Sequence, residues 1–220
     1  MGTPFLSAVI IAFNEERNIS RCLDSLLDIA DEVVVVDSGS TDATESLCRD
    51  RGVRFIHHSF EGHIQQKNWA SKQAKGGWIL SLDADEALSE SLRQSLKDWK
   101  NQPIKDANAY EFNRLTQYCG EWVRHSGWYP DRKLRLWKGG TAHWAGVNPH
   151  DRLEVAQPEI TGHLKGDILH YSYYTLGDHV NQIAYFSDIV ALAYQGGGWA
   201  YWPPMARLKS AFQWFKTDII

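Results

Sequence analysis

The chain has 220 residues, 43% of them hydrophobic, with 23 Lys and Arg against 27 Asp and Glu for a formal net charge of -4. That length suits one large domain with a substantial core, and the acidic balance argues against general nucleic-acid binding, which needs a basic excess to neutralise phosphate. There is no run of about 18 apolar residues, the N-terminus Met1-Gly2-Thr3-Pro4-Phe5 lacks the pattern of a signal peptide, and Cys22, Cys48 and Cys119 match neither a disulfide framework nor a zinc spacing, so a cytoplasmic protein with free thiols is expected.

Ser7 to Ala12 is a continuous apolar run, which predicts a strand buried on both faces. Ile19, Cys22, Leu23, Leu26 and Leu27 then fall on one helical face. Val33 to Val36 is a β-branched run that predicts a central strand ending at Asp37. Asp37-Ser38-Gly39-Ser40-Thr41-Asp42 is turn chemistry, with Thr41 or Asp42 available to cap a helix that Gly52 terminates. Val53 to Ile56 supplies a third strand, and a helix over about Ile64 to Lys75 leads through Gly76-Gly77 into a fourth, Trp78 to Leu82. The alternation predicts an α/β fold with a mostly parallel sheet wrapped by helices. Beyond Glu86, the residues Leu88, Leu92, Leu96 and Trp99 keep helical spacing to about Lys100, and Pro103 limits any extension. Tyr110 to Phe112 and Lys133 to Trp137 alternate like strands with one buried face, an antiparallel supplement to the sheet, and Leu176 to Tyr194 is helical again.

Ligands of an open parallel sheet gather beyond the carboxyl ends of its strands. Carboxylates recur at three such ends: Asn14-Glu15-Glu16, Asp37 to Asp42, and Asp83-Ala84-Asp85. A pair such as Asp83 and Asp85 can hold Mg²⁺ or Mn²⁺, hard cations that take one or two protein carboxylates and leave other positions to water and phosphate oxygens.

Together, Val9-Ile10-Ile11-Ala12-Phe13-Asn14-Glu15-Glu16, Val35-Val36-Asp37-Ser38-Gly39-Ser40-Thr41-Asp42, Lys67-Asn68 and Leu82-Asp83-Ala84-Asp85 resemble the family-2 inverting glycosyltransferases of the GT-A fold. Two positions depart from the commonest pattern: Ser38 replaces a second acid, and Lys67 stands where Arg is usual. The resemblance implies a nucleotide-sugar-binding α/β half at 1–102, an acceptor-binding half of the same catalytic domain at 103–175, and a C-terminal helical segment at 176–220. It implies that Asp37 hydrogen-bonds the nucleotide base, that the backbone of Ala12, Phe13 and Asn14 and the Glu15 carboxylate shape the nucleoside pocket, and that Lys67 neutralises phosphate. Asp83 would lie near the ribose or reach the metal through water, and Asp85 would ligate Mg²⁺ or Mn²⁺ directly. His170, after Ile168-Leu169, either completes the metal site or positions phosphate.

An inverting transfer needs a base within reach of the acceptor hydroxyl. Asn148-Pro149-His150-Asp151-Arg152-Leu153-Glu154, Trp128 to Lys133 and Leu169 to Tyr173 resemble blocks of the bacterial branch that adds sugars to lipopolysaccharide inner core, which implies Asp151 as general base, in a loop, with Glu154 and Asp131 as substitutes. Trp122, Trp128, Tyr129, Trp137 and Trp144 among Arg124, Arg132, Lys133 and Arg135 suit a glycolipid or saccharide acceptor bearing phosphate or carboxylate. The mixed aromatic and basic stretch 199–216 fits either contact with the inner face of the cytoplasmic membrane or a docked helix. Rival readings are a sugar nucleotidyltransferase, disfavoured by the acidic Phe13-Asn14-Glu15-Glu16 where a basic, glycine-rich triphosphate loop is needed, and a non-catalytic carbohydrate-binding protein.

Overall fold

The apolar runs of the first half become β1 (Leu6–Ala12), β2 (Glu32–Asp37) and β4 (Trp78–Asp83), with β3 (Arg54–His57) outside them; all pair in parallel, in the order β3-β2-β1-β4. The computed structural model describes residues 5–102, 105, 107–148, 150–156 and 160–197, so the stretch 199–216 and Pro103 lie outside the described residues. Ala8, Ile10, Val34, Val35, Val36 and Leu80 are fully buried because both sheet faces are covered. On one face the core takes in Ile19, Cys22 and Leu23 of α1 (Ile19–Asp24), Cys48 of α2 (Thr44–Asp50) and Leu92, Leu96 and Trp99 of α4 (Glu90–Asn101). On the other, Ala70 of α3 (His63–Gln73) packs with Val9, Val36 and Ile79.

The chain runs outward from β1 to β3 and then crosses to β4 on the other side, so the strand order reverses at β1. That reversal opens a crevice at the carboxyl ends, the place where an open sheet can admit a ligand. Register sets what stands there: Ala12 pairs beside Asp37 on β2, and Ile11 beside Asp83 on β4.

Past β4 the sheet continues through β8 (Asp131–Lys138), β6 (Ala109–Tyr118), β11 (Thr161–Tyr173) and β5 (Glu86–Leu88), with β7 (Glu121–Trp122) beside β6. The β4–β8, β8–β6 and β11–β5 pairings are antiparallel, and β6–β11 is parallel. The expected antiparallel supplement is therefore as wide as the parallel part. Leu88, expected on the helix face, ends β5 instead, because the Ser89 hydroxyl accepts from Leu92 N at 3.3 Å and starts α4 one residue later. Gly166 lets β11 cross this helix start: its φ is +115° and an added Cβ would meet Leu92 N at 2.4 Å.

Asp151 was expected in a loop and lies in a strand. It is the second residue of β10 (His150–Val155), which pairs with β9 (Ala142–Val147) in a separate hairpin, Asp151 opposite Gly146. The hairpin is pinned to α3. Asn68 Nδ2 donates to the Trp144 carbonyl at 2.7 Å while Trp144 N donates to Asn68 Oδ1 at 2.9 Å. Asn148 Oδ1 accepts from Ile64 N at 3.0 Å, capping a helix whose own N-cap, Gly62, has no side chain to do so. The predicted last helix is α5 (Leu176–Gly197). Among the described residues, no helix is long and apolar enough to cross a membrane.

Candidate active site

Two loops leave the carboxyl ends of β1 and β2 and are stitched together by their own polar side chains. Asn14 takes a positive φ of 54°, a conformation asparagine tolerates, and this lets its N–H donate to Ser40 Oγ at 2.7 Å while its Oδ1 accepts from Thr41 N at 2.8 Å. Glu15 N donates to Thr44 Oγ1 at 2.8 Å, Glu16 N to Asp42 Oδ2 at 3.0 Å, and Ala43 N to Glu16 Oε2 at 3.0 Å. Asp42 Oδ1 also accepts from Thr44 N at 3.0 Å, but neither Thr41 nor Asp42 is the cap: the N-cap position of α2 falls on Ala43, one residue later than expected, and has no side-chain cap bond. Asp37 is fully buried: its Oδ2 accepts from Gly39 N at 2.8 Å and Ser40 N at 2.9 Å, with His57 Nδ1 at 3.3 Å. Its carboxylate thus shapes the loop that carries Ser38 and Gly39. These two, with His57, His58 and Ser59, line a cavity of about 200 Å³ at the ends of β2 and β3. Gln66, fully buried on α3, ties the same edge together by donating to Ser38 Oγ and meeting His58 Nδ1 at 2.7 Å. Phe13 projects from the β1 loop, 58% exposed.

A buried charge cluster occupies the other side of the reversal. Lys67 Nζ, on α3, lies 2.9 Å from Asp83 Oδ1 and 2.8 Å from Asp151 Oδ2, so one ammonium joins the end of β4 to the β9–β10 hairpin. It also sits 4.6 Å over the ring of Trp144, with the guanidinium of Arg135 5.3 Å over the same ring. Arg135 Nη2 donates to Asp83 Oδ2 at 3.1 Å and to Glu86 Oε1 at 3.0 Å, while Glu86 Oε2 accepts from Asp83 N at 2.9 Å. Burial opposes ionisation of Asp83, yet Lys67 and Arg135 outweigh it and hold this carboxyl far below the usual range. Burial likewise disfavours the Lys67 ammonium, and Asp83 and Asp151 offset that and raise its pKa. Arg135 Nε and Nη1 and Trp144 Nε1 are buried donors with no hydrogen-bond partner among the described residues.

Asp85 stands apart from this network. Its Oδ2 is 3.2 Å from His170 Nε2, whose Nδ1 lies 3.4 Å from Thr116 Oγ1, and its carbonyl accepts from Tyr171 N at 2.9 Å. Glu15 faces the same acids. Desolvation, then repulsion from Asp85, raises its pKa to about 7 despite a 2.8 Å hydrogen bond from Asn18. No three metal-ligating side chains converge among the described residues. The donor set nevertheless fits Mg²⁺ or Mn²⁺ held jointly with a ligand's phosphates, since Asp85 is a hard oxygen donor with no Lys or Arg partner among the described residues and such ions complete their shells with phosphate and water.

The fold therefore brings Glu15, Lys67, Asp83, Asp85, Asp151 and His170 to one edge and places Ala12 and Asp37 side by side at the adjoining strand ends. The substitutes for the base are paired with other cations: Asp131 with Arg114 and Lys133, and Glu154 with Arg152. Sequence reading did not find the structural roles of Arg135, Glu86, Gln66 and Asn148. Arg135 alternates with apolar residues and reads as a solvent-facing cation, yet it is 4% exposed.

The family model described as Glycosyl transferase family 2 matches residues 7–154. An uncharacterized glycosyltransferase of Rickettsia typhi is 30% identical over 191 residues, covering 83% of this chain and 65% of its own length. A lipopolysaccharide core biosynthesis glycosyltransferase of Rhizobium meliloti, LpsC, is 42% identical over 98 residues, covering 42% of this chain and 36% of its own. The chain thus spans about two thirds or less of these relatives. Among solved structures, TarS 1-349 of S. aureus in complex with UDP is similar over 90% of this chain and 67% of that one, at 13% identity and a TM-score of 0.48.

Proposed function

The chain belongs to glycosyl transferase family 2, and on that premise we propose that it transfers a hexose, with inversion, from a nucleotide-diphosphate sugar to a saccharide of a cell-envelope glycolipid, lipopolysaccharide core being the acceptor class. The carrying observation is the single ammonium of Lys67, which ties Asp83 at the donor end of β4 to Asp151 on the hairpin. The name of the similar LpsC supports the acceptor class.

In this reading the base and ribose lie against the stitched loops of β1 and β2, where Asp37 fixes the loop backbone and the cavity beside Ser38 and Gly39 admits part of the nucleoside. Asp85, with His170 behind it, would hold Mg²⁺ or Mn²⁺. A bound metal would offset negative charge on the departing diphosphate. Asp151 takes the proton of the acceptor hydroxyl as that oxygen bonds to the anomeric carbon and the bond to the diphosphate breaks, its electron pair leaving with phosphate. Lys67 holds Asp151 in place until then. The work would be done in the cytoplasm, at the inner face of the cytoplasmic membrane.

A screen of nucleotide sugars with Mn²⁺ and Mg²⁺ tests the proposal, because donor binding and slow hydrolysis need no acceptor. Asp85→Ala should lose metal-dependent donor binding, and Asp151→Asn should lose transfer while keeping it. Pyrophosphate release from a nucleoside triphosphate, or glycan binding with no donor binding, would overturn the reading.

A further inference from the structure

Three of the four cations expected to meet an anionic acceptor are already bonded to protein carboxylates: Arg132 to Glu111, Lys133 to Asp131, and Arg135 to Asp83 and Glu86. Two other guanidinium groups are held in a different way. Arg17 lies 3.3 Å over the ring of Tyr174 and Arg21 lies 3.7 Å over that of Tyr171, and neither has a carboxylate partner among the described residues. Their tyrosines are fixed from behind. Arg21 Nη1 donates to Tyr174 Oη at 3.2 Å, Tyr174 Oη donates to Asn18 Oδ1, and Asn18 Nδ2 donates to Glu15 Oε2 at 2.8 Å. The Tyr171 N–H bonds the Asp85 carbonyl, so the pair sits beside the Asp85–His170 site. Trp122 meets Tyr171 edge-on at 5.2 Å and extends the aromatic surface.

Stacking fixes the plane of a guanidinium; Arg21 spends an Nη1 N–H on Tyr174, and its Nε–Nη2 edge, like the edge of Arg17, has no hydrogen-bond partner among the described residues and suits two parallel bonds to an oxyanion. Two such groups held side by side without a protein anion form a site for a ligand that brings its own charge. We propose that Arg17 and Arg21 form a subsite for a phosphomonoester or carboxylate carried by the saccharide acceptor, with Trp122 as an adjoining face for a sugar ring. The assignment rests on the glycosyltransferase reading.

The test titrates the chain with glucose 6-phosphate, glucuronate and glucose, with and without UDP and Mn²⁺, and measures UDP–Mn²⁺ affinity separately. The wild type should bind the two anionic sugars more tightly than glucose. Arg17→Gln/Arg21→Gln should weaken both by about tenfold, the scale of a lost charge-assisted bond, with UDP–Mn²⁺ affinity and thermal melting retained. The Arg17→Lys/Arg21→Lys pair, which keeps charge without the fork, should restore part of the loss and guards against a folding effect. The subsite is overturned if anionic and neutral sugars bind alike, if the double variant binds as the wild type does, or if UDP–Mn²⁺ binding falls in parallel. It is also overturned if the variant loses only binding to phosphatidylglycerol vesicles over phosphatidylcholine ones, which would assign the pair to a lipid headgroup. A wild type that binds no UDP–Mn²⁺ counts against the glycosyltransferase reading, while the sugar titration still decides the subsite.

Discussion

Lys67→Met removes the cation between two carboxylates while roughly keeping side-chain volume. In the wild type the side chain is 7% exposed and the two contacts are 2.9 and 2.8 Å. Removing one partner of a buried pair costs about 3–5 kcal/mol, because the remaining charge is left uncompensated. Asp83 keeps Arg135 and is 28% exposed, so the lower end applies, about 3 kcal/mol. For a chain of this size that is a fall in Tm of about 6–12 °C at pH 7. The sign of the pH dependence follows from Asp83. Its folded pKa is depressed below the ordinary 3.8, so its stabilisation is complete above that value and is lost as pH falls toward the folded pKa. The wild type therefore loses its advantage first: the gap between wild type and variant should narrow by about 1 kcal/mol at pH 3. Lys67, whose folded pKa is raised above 10.5, keeps its contribution throughout the neutral range. Urea melts of both proteins at pH 7 and pH 3 measure this directly. A variant within 2 °C of the wild type at pH 7, by the ~2–4 °C per kcal/mol scale, would refute a buried ion-pair junction.

Asn68→Ala should cost about 2–3 kcal/mol, since it strips both the N–H and the carbonyl of Trp144 of their partners. It should also reduce transfer more than donor affinity, because the hairpin carrying Asp151 loses its anchor on α3; equal losses in both would argue against that anchoring. Glu15→Gln should stabilise the protein increasingly as pH rises. The folded pKa of Glu15 is about 7, above its ordinary 4.5, so the wild type's stability falls between those values and the advantage of Gln levels off above 7, at about 1–3 kcal/mol by thermal melting. A constant advantage from pH 5 to 8 would contradict the buried placement of the carboxylate.

The first half of the fold was legible because β1, β2 and β4 are buried on both faces, and burial on both faces writes an unbroken apolar run such as Val34 to Val36. The second half is written more faintly. β11 is the longest strand, yet most of its residues are half-buried and Gly162 and Gly166 interrupt it, so neither periodicity nor a continuous run marks it. The β9–β10 hairpin has too few buried residues to announce itself, which is why Asp151 read as a loop residue. Site residues followed the same division. Strand ends can be read, so Asp37 and Asp83 stand where expected, at the ends of β2 and β4; a contact such as Arg135 with Glu86 depends on antiparallel strands paired across distant sequence and leaves no local mark.

The cluster's charge balance bears on why a metal would be needed at all. Lys67 and Arg135, the cations nearest the strand ends, are both committed to carboxylates. Burial and then repulsion from Asp85 raise the pKa of Glu15 to about 7, so further negative charge at this edge is opposed. A diphosphate entering there would add more, and moving Lys67 to neutralise it would break its contacts with Asp83 and Asp151. A divalent ion held by Asp85 would resolve the conflict by a different route, since it would leave the lysine junction intact and supply positive charge to the phosphates. Donor binding should then be steeply metal-dependent while thermal stability without nucleotide changes little with added Mg²⁺. A large stabilisation by metal alone, before any nucleotide, would instead require a complete protein-built cage at this edge.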